Sequence, residues 1–256
     1  MIFSGNTHAA ITFDDTDDLI NCGLMGDAVM TENGALTISL WMNQTSATTG
    51  ALVVRGNSSN NRVVFETQAT RALRFQVAGT TTLTRTTNTS AFSDATWTHV
   101  LLTWDGSTTA ANAHIYVNGV EATYATTTNG GGIFNNNTYP LVIGSRNTGT
   151  SFGGNLTEIA VFNKVVNASE IAQLYGGGSV PKGLPSSIDR SSLKGYWKMD
   201  EDTSGTVPSV ANPVKDWSNG KNDGKQSGNP VYASEPSNLP YRSFLFGSTI
   251  YSSTIY

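Results

Sequence analysis

Short runs in which apolar and polar residues alternate, parted by Gly, Asn, Asp and Ser, recur along most of the chain. Leu36-Thr37-Ile38-Ser39-Leu40-Trp41-Met42 and Arg74-Phe75-Gln76-Val77 each predict a strand with one face on a core and one on solvent. Trp97 to Trp104 reads as a more buried strand, ended by Asp105-Gly106. His114-Ile115-Tyr116-Val117 and Val120-Glu121-Ala122-Thr123-Tyr124 flank Asn118-Gly119, the pair that a two-residue hairpin turn favours. Leu141-Val142-Ile143 follows, and then Gly154 to Phe162, with Leu156, Ile159, Val161 and Phe162 available to the interior.

One helix interrupts this pattern, over about 168–175. Asn167 with Glu170 three positions on forms a capping-box pattern, and Gly176-Gly177-Gly178 ends the helix after Leu174-Tyr175. Residues 179–192, with Pro181 and Pro185, read as a connecting loop, and Tyr196-Trp197-Lys198-Met199 as one more strand.

Composition narrows the picture. Charged residues are 13% of 256, so the surface is neutral and polar, while 5 Trp, 9 Tyr and 10 Phe supply a core. A net charge of -4 without a Lys/Arg cluster argues against nucleic acid as partner. No stretch approaches the roughly 20 apolar residues that span a bilayer. The start Met1-Ile2-Phe3-Ser4-Gly5 predicts no Sec-type export, and the single Cys22 leaves no intrachain disulfide.

Taken in order, Leu36–Trp41, Trp97-Thr98-His99-Val100, the Ile115-Tyr116-Val117-Asn118-Gly119 hairpin, and Gly154–Ile159 followed by Ser169–Tyr175 resemble the laminin-G-like and pentraxin-like jelly rolls of the concanavalin-A-like lectin and glucanase group. The resemblance implies an all-β jelly-roll sandwich with one short helix, and it covers roughly residues 9–178. Tyr196–Glu201 and Asp216-Trp217-Ser218-Asn219-Gly220-Lys221-Asn222-Asp223-Gly224 resemble pieces that elsewhere in the family precede the Phe-Asp start, here Phe13-Asp14-Asp15. This order implies one circularly permuted sandwich over 1–240, with 193–232 as returning strands. A truncated second repeat is the alternative, and it would leave Trp197 and Trp217 without a core. Residues 241–256, aromatic and β-prone, read either as an arm on a partner or as a last strand.

The permuted arrangement resembles structural proteins of tailed bacteriophages. It implies a non-enzymatic virion subunit, a capsid decoration or tail component, with other virion proteins or copies of itself as partners and glycan adhesion as a further property. A secreted carbohydrate-binding, lectin-like module, extracellular in location, is the second reading, and a glycoside hydrolase the third. Hydrolysis needs two carboxylates facing one cleft; beside Glu158 the same-face positions are Ala160 and Phe162. For a structural calcium, which the family often binds, oxygen donors at close spacing are offered by Asp216, Asn219 and Asn222, with Glu158 or Asp14 and Asp15 completing the shell. For a glycan surface the candidates are Tyr124, Phe134 and Tyr139.

Overall fold

The computed structural model describes residues 10–233 apart from 26–29, 31–33, 57–61, 133–137, 147–149, 179–182 and 203. Phe134 and the 241–256 segment therefore lie outside the described residues. The strands are β1 (Ile11–Asp14), β2 (Leu19–Asn21), β3 (Leu36–Gln44), β4 (Ala51–Arg55), β5 (Val63–Thr67), β6 (Leu73–Val77), β7 (Leu83–Thr87), β8 (Thr98–Trp104), β9 (Ala113–Val117), β10 (Val120–Glu121), β11 (Tyr124–Thr128), β12 (Leu141–Ile143), β13 (Gly153–Phe162), β14 (Leu193–Trp197), β15 (Lys225–Ser227) and β16 (Val231–Tyr232). The helix α1 is Ala168–Tyr175.

Two antiparallel eight-stranded sheets stack face to face. The first runs β10-β9-β8-β3-β13-β1-β16, with β14 also on β13; the second runs β11-β7-β6-β5-β4-β12-β2-β15. The inner faces supply one core, in which Leu36, Ile38, Leu40 and Met42 of β3 and Val100, Leu102 and Trp104 of β8 meet Phe65, Leu73 and Phe75 of the second sheet. The Phe75 and Trp104 rings lie 5.5 Å apart.

Two elements depart from simple alternation, each for a visible reason. β3 is buried on both faces, because α1 lies over the outer side of the first sheet. There Leu101, Ala160, Phe162, Ile171, Leu174 and Tyr196 form a second cluster, so Phe162 is buried as expected, but beneath α1 and not between the two sheets. In β13, Thr157 pairs with Trp41 and Ala160 with Ser39, leaving two residues opposite Leu40. That bulge, with Glu158 at φ 53°, explains how Leu156 and Ile159 both reach the inner core despite an odd spacing.

The Asn118-Gly119 hairpin forms as expected, with both residues at positive φ. Its second strand ends at Glu121, however, and the chain then crosses to the second sheet, where Tyr124–Thr128 pairs with β7. Helix α1 has the full capping box: the Asn167 side chain accepts from Glu170 N, the Glu170 carboxylate accepts from Asn167 N, and Gly176 is left-handed. On its open side, β13 pairs with β1 over Gly153–Leu156 and with β14 over Ile159–Phe162. β16 then pairs with β1, and Ala233 N donates to Ala10 O.

Candidate functional site

The six residues proposed as calcium ligands fall in three places. Asp14 pairs with Gly153, whereas Trp197, which bridges to Asp216, pairs with Ile159. Six residues of strand at about 3.3 Å each put these two carboxylates about 20 Å apart. Glu158 lies between them, 5% exposed, accepting from the Tyr196 hydroxyl. Burial pushes its carboxyl up to about 8, against the opposing Tyr196 hydrogen bond.

Asp216 is the hub of its own loop. Its Oδ1 accepts from Tyr196 N (2.9 Å) and Ser218 N (2.9 Å), and its Oδ2 from Asn222 N (2.8 Å). The Asn222 carbonyl in turn accepts the Trp197 indole N–H at 3.0 Å. The Asp216 carboxylate is therefore turned onto backbone donors, and the Asn222 main-chain carbonyl onto the core tryptophan. A cation at Asp216, Asn219 and Asn222 would share the Asp216 carboxylate with these three backbone donors.

Carboxylates do converge at the turn between β1 and β2. Asp14, Asp17 and Asp18 bring ligand oxygens within 4.8 Å of one another. Asp15 faces away from them onto Ser46 and Thr48 (3.3 and 3.0 Å). Asp18 is buried; it accepts from Asp14 N and Asn229 N, and burial, then the charge of Asp14, raises its carboxyl. Oxygen donors of this kind suit a hard cation, which would relieve both the burial of Asp18 and the mutual repulsion.

The glycan candidates also separate. Tyr124 lies on β11 and Tyr139 just before β12, five strands away in the second sheet, or about 24 Å at 4.8 Å per strand. The Arg85 guanidinium covers one face of the Tyr124 ring at 3.4 Å, and the Tyr124 hydroxyl bridges Ile115 N and Glu121. Tyr139 is half-buried, its carbonyl taken by Arg55.

The residue that stands out instead is Trp217, 53% exposed. Its indole N–H donates to Glu201 at 3.3 Å, the Lys198 ammonium sits 4.2 Å from the ring centroid, and its backbone N–H donates to Tyr196 O. Glu201 also accepts from the Tyr232 hydroxyl at 3.1 Å, which ties the platform to β16. An aromatic ring left in solvent yet held in one orientation is unusual, since exposed side chains ordinarily stay free to rotate. The sequence carried one signal for it: an indole beside Asp216 inside a turn of Ser, Asn and Gly.

Two face-to-face antiparallel sheets, a helix across one outer face and polar turns at the edges define a lectin-like jelly-roll sandwich. More narrowly, the chain belongs to the Laminin_G_3 family, the concanavalin A-like lectin/glucanases superfamily, whose model matches residues 14–172. No curated protein matches the sequence. Among solved structures it is similar to a Bacteroides ovatus protein described as a candidate for carbohydrate binding, with 17% identity and a TM-score of 0.60 over 92% of this chain. The match spans 62% of the length of that protein. It is also similar to the CBM40 module of a Ruminococcus gnavus sialidase bound to α2,3-sialyllactose, at 16% identity and a TM-score of 0.51, covering 64% of this chain and 94% of that one. At these identities the likeness is one of fold.

Proposed function

We propose that this chain is a non-catalytic glycan-binding sandwich whose Trp217 ring is the stacking platform. The observation that carries the reading is the pinned, exposed indole with Glu201 and Lys198 beside it, an apolar face with polar groups at its rim. The similar folds of a candidate carbohydrate-binding protein and of a sialyllactose-bound CBM40 module support it. Asp14, Asp17 and Asp18 would hold a structural calcium, which adds charge neutralisation at that turn and no chemistry. On a glycan array, Trp217→Ala is expected to cost about 2 kcal/mol or more, roughly thirtyfold in affinity, as truncation of a central tryptophan commonly does. Running the array with calcium and with a chelator separates the two sites: chelation lowers the melting temperature and leaves the tryptophan effect in place. Binding unchanged in the Trp217 variant would sink the platform.

Two finer readings go with this. The first is a circularly permuted single sandwich over 1–240, supported by β14, β15 and β16 joining the sheets built by residues 11–162 and by the contact between residues 10 and 233. The second is display on a bacteriophage particle, supported by the sequence resemblance, where many weak contacts would add by avidity. Density for this chain at a repeated position on a native particle is the expected image; a chain absent from such particles would refute display.

A further inference from the structure

The outer face of the second sheet carries an imbalance of charge that the fold does not need. On β5 and just before it, Arg62, Val64 and Glu66 point to this face, and Arg74 of β6 lies directly opposite Glu66. The Glu66 side chain is 0% exposed. It accepts from Arg74 Nε at 2.5 Å, from Gln68 Nε2 at 3.0 Å and from an Arg146 guanidinium nitrogen. The one carboxylate is thus used up by two guanidinium groups. The Arg62 main-chain carbonyl accepts from Ala78 N, but its side chain has no hydrogen-bond or ion-pair partner among the described residues, and its Nε and that of Arg146 are buried without an acceptor.

Burial first, and then the neighbouring positive charge, holds these groups below the usual guanidinium range: Arg74 acts on Arg62, and Arg62 on Arg146, which falls to about 10. Arg74 and Arg146 share the one carboxylate and the Arg62 charge acts on both of them, which leaves two positive charges uncompensated among the four groups, and a buried donor without an acceptor costs on the order of 1–3 kcal/mol. An arrangement that unfavourable is satisfied by an acceptor from outside, and a guanidinium fork matches a planar carboxylate.

The neighbours on the same face indicate what bears that carboxylate. Gln76 beside Arg74, Thr84 and Thr86 on β7, and Thr126 and Thr128 on β11 share the face by register. They form a row of amides and hydroxyls that leads from the arginines to the sheet edge, about 10 Å across two strand spacings. A small free anion has no use for such a row, whereas a chain of hydroxylated rings does.

We propose that Arg62, together with the Arg74 and Arg146 guanidinium groups that share Glu66, forms a subsite for the carboxylate of an acidic glycan, with the Gln76–Thr128 row taking the adjoining sugar hydroxyls. This subsite is separate from the Trp217 surface and does not depend on it.

The test uses the whole chain and calorimetric titration with uronate and sialate oligosaccharides, their methyl esters, and inorganic sulfate. An acid oligomer should bind, its methyl ester at least tenfold more weakly, and higher salt should weaken binding. Arg62→Gln should lose the acid oligomer tenfold or more while the melting temperature stays or rises, since the Arg62 side chain has no partner among the described residues. Trp217→Ala should leave this binding intact. The proposal is overturned if no carboxylate glycan binds, if the ester binds equally, if Arg62→Gln binds as the parent does, or if sulfate alone binds as tightly as the oligomer.

Discussion

Glu158→Gln stabilises the protein at pH 8 and flattens the dependence of its stability on pH. Burial raises the Glu158 carboxyl from 4.5 to about 8, so between those values the unfolded chain has released a proton that the folded protein keeps. The sign follows directly. The raised group contributes its full share below about pH 4.5, and that share is lost as pH rises through about 8. A shift of this size corresponds to a ceiling of about 5 kcal/mol at roughly 1.4 kcal/mol per unit, which relaxation around the bulge reduces to about 2–3. Glutamine keeps an acceptor for the Tyr196 hydroxyl and carries no proton to lose. Urea unfolding at pH 5 and pH 8 should show the parent falling by that amount relative to the variant, about 5–10 °C in melting temperature. Parallel curves for the two proteins would show that the carboxyl ionises in the fold at no cost.

The Asp216 loop gives the second large effect. Asp216→Ala strips acceptors from the backbone N–H groups of Tyr196, Ser218 and Asn222 in a site only 7% exposed. At about 1–3 kcal/mol for each buried donor, partly offset by entering water, the loss should be about 3–5 kcal/mol. Asp216→Asn provides a graded control. One amide oxygen can keep the two donors now on Oδ1, while the amide NH₂ opposes Asn222 N–H, so about 1–2 kcal/mol is expected. The order alanine, asparagine, parent in denaturation midpoints is the signature of hydrogen bonding. Equal losses for both would mean that the negative charge matters, as it would around a bound cation.

The Asp216 series also marks where the sequence was readable. Periodicity located most central strands, and the capping box fixed α1 to the residue, because both follow from contacts a few positions apart. The Asn-Gly turn was equally local. What was not legible depends on distant partners. That β3 would be buried on both faces required knowing that α1 folds back over it; that the chain leaves the hairpin at Glu121 required β7 as the better partner for Tyr124. The carboxylates in the Asp-Trp-Ser-Asn-Gly loop have the composition of a cation site, and only the position of the Tyr196 and Asn222 amides shows their use. Nothing local distinguishes Arg62 from Arg74, although among the described residues only the Arg74 side chain is paired.

The seam along β13 has a kinetic meaning. Its open edge is filled by β1, read about 140 positions earlier, and by β14, read some 30 positions later, and β16 then lies against β1. Every one of those pairings closes a long loop of chain, the kind of contact that slows folding most. During synthesis at about 5–20 residues per second, β1 waits roughly 7–30 s for β13 to appear, and several seconds more for β14 and β16. For that interval Ile11 and Phe13 are apolar strand residues without a sheet, and β1 gains its second neighbour only when Tyr232 has left the ribosome. Among the described residues, the strands made last are the ones that close the edge opened by the first.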